Sequence, residues 1–65
     1  MTVKEIQARV ERIRQVAYDC EVAHGAEDGL YQDVLLAIHH GCKDPRKLAK
    51  AALETKKLQF ERHTA

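Results

Sequence analysis

Cys20, His24, His39, His40 and Cys42 are the residues whose types could hold a metal ion in this chain. Two cysteines and two histidines make a plausible zinc donor set, but zinc needs all four donors within about 2.0 to 2.3 Å of one ion. Spacing argues against it. Cys20 and His24 precede an apolar helical run, whereas His39, His40 and Cys42 follow it. A helix of about a dozen residues, at 1.5 Å per residue, holds its ends about 18 Å apart. No metal and no cofactor is therefore expected. His24 reads as a loop or capping residue, His39 and His40 as a helix end, and the two cysteines as small apolar fillers.

Catalysis finds little to work with. The chain contains no serine. A cysteine nucleophile needs a histidine within hydrogen-bond reach and a pocket for substrate, and His24 could approach Cys20 only if the first helix ran on. Three short helices leave little room for a pocket of several hundred Å³. Glu27 and Asp28, adjacent on a helix, point to different sides. No catalytic residue, no small-molecule substrate and no enzymatic activity are expected.

Charge offers more. The net charge is only +1, yet residues 1–33 carry four bases against seven acids, and residues 34–65 carry seven bases against three acids. No positive residue lies between Asp19 and Asp33. Such segregation serves pairing within the fold, between copies, or with an outside partner. Glu27, Asp28, Tyr31 and Asp33 form the candidate surface for a protein partner, either a second copy or a host protein. The alternative is a helix-turn-helix-like DNA-binding regulator, with Arg46, Lys47 and Lys50 near the start of a basic third helix as its nucleic-acid surface. Against that alternative, the chain is nearly neutral and has no asparagine for reading bases.

The elements that must position these residues are helices. Thr2-Val3-Lys4-Glu5 fits a capping box, and Val3, Ile6, Val10, Ile13, Ala17 and Cys20 recur at alternating spacings of three and four, predicting a helix over 3–20. That seam suits either the other helices of the same chain or a second copy. A loop is expected at 21–25 around Gly25. The second helix, 26–40, has Glu27 and Asp28 where the helix dipole favours carboxylates, His39 and His40 near its end, and Gly41 to close it. Leu30, Val34, Leu35, Ala37 and Ile38, with Tyr31 and Leu36, cover more than half its circumference, so it is expected to be the central helix. Gly29 marks either a later helix start or a close backbone contact with the first helix.

Asp44-Pro45 is a strong helix start, with an N-cap carboxylate followed by a proline whose missing amide costs nothing there. The third helix is expected over 45–57, with Leu48, Ala49, Ala52, Leu53 and Lys56 inward. Leu58 and Phe60 are expected to dock a short tail, and residues 61–65 to fray.

The whole is an all-α, single-domain, three-helix protein. At 65 residues it is near the lower size limit for independent folding, and 45% hydrophobic content places it among folded chains. No apolar run approaches the roughly 20 residues of a membrane span. The polar, charged start Met1-Thr2-Val3-Lys4-Glu5 lacks a signal core, so a cytoplasmic setting with reduced cysteines is expected.

The pattern Ala23-His24-x-x-Glu27-Asp28-x-Leu30-Tyr31-x-Asp33-Val34-Leu35-x-Ala37-Ile38, followed by Gly41, Asp44-Pro45, Leu48-Ala49 and Ala52-Leu53, resembles a group of very small uncharacterised proteins of actinobacteria and their bacteriophages. The resemblance spans most of the chain and implies a setting: a cytoplasmic accessory protein made by a phage. With the charge pattern above, the expected role is binding a host or phage protein. The resemblance assigns no functional residue. Members of the group end in an aromatic-rich tail, which Glu61-Arg62-His63-Thr64-Ala65 lacks.

Overall fold

The computed structural model describes residues 1–62. It contains three α-helices, α1 (Val3–Gln15), α2 (Cys20–His39) and α3 (Pro45–Leu53), followed by a 3-10 turn, Glu54–Lys57. No strand occurs among the described residues. The molecule is a slab of 34 × 22 × 14 Å, and α2, about 30 Å long at 1.5 Å per residue, runs nearly its full length.

Each helix start follows from its cap. Thr2 accepts from the Glu5 amide at 3.1 Å, and the Glu5 carboxylate accepts from the Thr2 amide at 3.1 Å. Asp44 accepts from the Lys47 amide at 3.1 Å, with Pro45 in the first turn. Asp19 provides the start that spacing alone did not reveal, accepting from the Val22 amide at 3.2 Å. This cap moves two expected boundaries. α1 ends at Gln15 instead of residue 20, and α2 begins at Cys20 instead of residue 26. Between them Val16 donates to both Arg12 and Ile13, and Asp19 donates to Val16 at 3.0 Å, the tight bonds that close a helix end. Residues 21–25, expected as a loop, are helical. Gly25 does not break α2, because its site is open and exposed while the neighbouring Ala23 is fully buried.

Gly29 lies well inside α2 and marks no helix start. A Cβ there would meet only the Arg9 guanidinium at 3.8 Å, so α1 approaches it by a side chain and not by backbone. Gly41 adopts φ +90 and ends α2 as expected.

The core is Ile6 and Ile13 from α1, Ala23, Leu30 and Val34 from α2, and Leu48, Ala51 and Ala52 from α3. The α1 seam is therefore used within the chain: Ile6 and Ile13 are 0% and 1% exposed. All three helices pack on one another, and α1 and α3 also pack on the 3-10 turn, so the core is shared and α2 is not the single central helix expected. Helix α2 leaves Val22, Leu35 and Leu36 exposed. Helix α3 is turned relative to its expected inner stripe. Leu48, Ala51, Ala52 and Thr55 face inward, whereas Leu53 and Lys56 face out. The helical extent 45–57 holds, with its last turn tightened to 3-10.

Among the described residues, no helix is long and apolar enough to cross a membrane.

Candidate functional site

Helix α2 carries two different surfaces, joined at Tyr31. On one, Glu27 stands on the buried stripe of Ala23, Leu30 and Val34 and is 2% exposed. A carboxylate so placed needs a partner, since burying an unpaired charge is costly. The tail supplies it. Arg62 donates from Nε to Glu27 Oε1 at 2.9 Å and from Nη2 to Oε2 at 3.1 Å, the two-pronged geometry that makes arginine–carboxylate pairs strong. The same guanidinium donates to the carbonyls of Thr55 at 2.7 Å, Leu58 at 3.3 Å and Phe60 at 3.4 Å. It also lies 3.9 Å from the centre of the Phe60 ring. Leu58 and Phe60 pack against the core as expected.

Arg62 is thus fixed in place and not frayed. It ties the segment 58–62 to the buried acid. Residues 63–65 lie outside the described residues. Burial pushes the Glu27 carboxyl up, but hydrogen bonds from Arg62 and Thr55 and the charges of Arg62 and Lys56 outweigh it and hold it below its ordinary value of 4.5. The hydrogen bond to Glu27, against a smaller opposing effect of burial, raises the affinity of Arg62 for its proton. Beside the pair, the Tyr31 and Thr55 hydroxyls lie 2.5 Å apart. No buried side-chain polar atom among the described residues lacks a partner.

The other surface is an open groove between α2 and α3, about 270 Å³ in volume, lined by Tyr31, Val34, Leu35, Ile38, Ala49, Ala52 and Leu53. Leu35 is 66% exposed and Leu53 55%, values that leave two large side chains in water, uncovered by any element among the described residues. No carboxylate, imidazole or thiol lines the groove. Its one polar side chain is Tyr31, whose hydroxyl is bonded to Thr55. Alongside Leu53 and Ala49 runs a cationic rim of Arg46, Lys50 and Lys57, with Glu54. Lys57 pairs with Glu54 at 2.9 Å, whereas Arg46 and Lys50 have no ion pair among the described residues. Lys56 stands 5.9 Å from the Tyr31 ring centre.

The four residues expected to form an acidic partner surface therefore divide. Glu27 points into the core and offers nothing to a partner, because it sits on the same helical stripe as Ala23 and Leu30. Tyr31 joins the two surfaces, its ring in the groove and its hydroxyl on Thr55. Asp28 is exposed, 3.6 Å from His24 Nε2. Asp33 accepts from Arg9 of α1 at 2.6 Å. Arg46, Lys47 and Lys50 are all exposed on α3, with Lys47 3.9 Å from Asp44.

The nominal metal donors stay apart. Cys20 and His24 lie in the first turns of α2, with Cys20 exposed and not a filler, while His39 and Cys42 lie at its far end. No group of three or more potential ligands occurs among the described residues.

Sequence reasoning missed Arg62, Thr55 and Leu53 as the residues that close one face and open the other. For the first two a signal exists: Glu27 interrupts the apolar series 23, 30, 34 at helical spacing, so it must be buried and must find a cation. Comparison with protein-family models, curated proteins and solved structures finds no match to this chain.

Proposed function

We propose that this chain is a non-enzymatic interaction module whose contact surface is the apolar α2–α3 groove with its cationic rim. The exposure of Leu35 and Leu53 in one groove carries the reading. Large apolar side chains clustered in a concave face and bordered by polar residues mark a contact site. Arg46 and Lys50 select a segment that brings its own carboxylates beside an apolar strip. An accessory protein of phage type, acting in the cytoplasm on a host or phage protein, is the setting that fits the resemblance of the sequence.

The test is a photo-crosslinking residue placed at Leu53, or at Lys4 on α1 as a control, in an actinobacterial lysate. Adducts with a protein at position 53 and none at position 4 are expected, and absence of any adduct at 53 contradicts the reading. The DNA-binding alternative rests on the exposed Arg46, Lys47 and Lys50. Binding to nonspecific duplex DNA that weakens with salt and disappears in Lys47→Glu and Lys50→Glu would replace the groove by α3 as the working surface.

A further inference from the structure

We infer that the outward side of α2, which meets the groove at Leu35, pairs with α2 of a second copy of the chain, antiparallel to the first. The inference goes beyond the reading above, with which it shares Leu35 and the rim of Arg46 and Lys50. Along the outward side of α2, Glu21, Gly25, Asp28, Gln32, Leu35 and His39 follow one another at spacings of four, three, four, three and four, and all six are exposed. That is the spacing of a helix-pairing seam. Its content is self-complementary in one orientation.

When two α2 helices run antiparallel about a two-fold axis at the height of Leu30, Glu21 lies opposite His39 of the second copy, Asp28 opposite Gln32, and Gly25 opposite Leu35. Nothing lies within 4 Å of where a Gly25 side chain would be, so a leucine can seat there. Val22 and Leu36, 51% and 48% exposed, come together beside the seam. The acidic half of each α2, with Asp19, Glu21 and Asp28, reaches the Arg46 and Lys50 rim of the other copy. A parallel pairing sets acid against acid and rim against rim, which disfavours it. Each contact occurs twice, as a two-fold interface requires. A seam one helix wide falls below about 1,200 Å² of total buried area, the range of weak, transient contacts, so the dimer is expected to be reversible.

Sedimentation equilibrium of the full chain at low salt, where attraction between exposed charges is least screened, tests this. A reversible rise from the 7.4 kDa chain mass to twice that value is expected. Glu21→Lys and His39→Glu should each weaken the dimer about tenfold, since each alteration acts at two symmetric places and replaces attraction by repulsion. The two together should restore it to within about threefold, because the pair is re-formed with its signs exchanged. All these positions are exposed, and circular dichroism checks that the variants remain folded.

A mass that stays at 7.4 kDa at every concentration, or a dimer indifferent to the charge exchange, overturns the pairing. If the Leu53 crosslinks to another protein persist in a chain that stays monomeric, this inference fails while the interaction reading stands.

Discussion

The two surfaces of α2 solve the same problem differently. Toward the tail, a helix face interrupted by a carboxylate is closed by the chain itself: Arg62 reaches Glu27 and covers the end of the 3-10 turn. Toward α3, an uninterrupted apolar face is left open, with Leu35 and Leu53 in water. The polar side is satisfied within the chain and the apolar side is not. A small domain buries only part of its surface. This chain spends its tail on the buried charge, where exposure of one partner would cost most, and leaves open the surface that a second molecule can cover.

That contrast can be broken from its closed side first. Arg62→Ala leaves Glu27 buried without its partner and should lower stability by about 3 kcal/mol, read by urea denaturation. Next comes the dependence on acid. The Glu27 carboxyl is held below its ordinary value of 4.5, so its contribution is fully present above that value and is lost as pH falls through the lowered one. The difference in stability between wild type and Glu27→Gln should therefore shrink at acid pH. In Arg62→Ala the hydrogen bond and charge of Arg62 no longer lower the carboxyl while burial, the largest single influence, still raises it; that variant should lose less stability than wild type as pH falls.

Tyr31→Phe removes the hydroxyl on Thr55 and keeps the ring in the groove. It should cost about 1 kcal/mol in the same denaturation assay and leave crosslinking at Leu53 intact. Smallest in stability is Leu53→Lys, an exposed change expected to stay within about 0.5 kcal/mol of wild type. It should nevertheless abolish contact with a partner, measured by competition against the crosslinking chain.

The sequence makes the closed and open surfaces unequally legible. The caps at Thr2 and Asp44 and the stop at Gly41 are local signals, written in side chains that bond the nearest turn, and they place α1 and α3 correctly at their starts. Asp19 is the same kind of signal, but the seam Val10, Ile13, Ala17, Cys20 ran through it, and a continuous apolar period hides a cap inside it. The turn of α3 is not local. Ala49 and Ala51 are equally small, and which of them faces α1 depends on Thr55 meeting Tyr31, a contact 24 residues apart in sequence. Arg62 is more distant still, 35 residues from Glu27. Its role follows from asking where a buried acid finds its cation, a question periodicity alone does not raise.

The most direct measurement follows backbone amide signals in two-dimensional NMR spectra across a roughly hundredfold dilution series spanning a weak dimer. Shifts confined to the outward side of α2, from Glu21 to His39, and to the rim at Arg46 and Lys50, with Thr55, Phe60 and Arg62 unchanged, are the predicted result. Shifts centred on α1 or on the Glu27–Arg62 pair, or none at all, would contradict the pairing of α2 with a second copy.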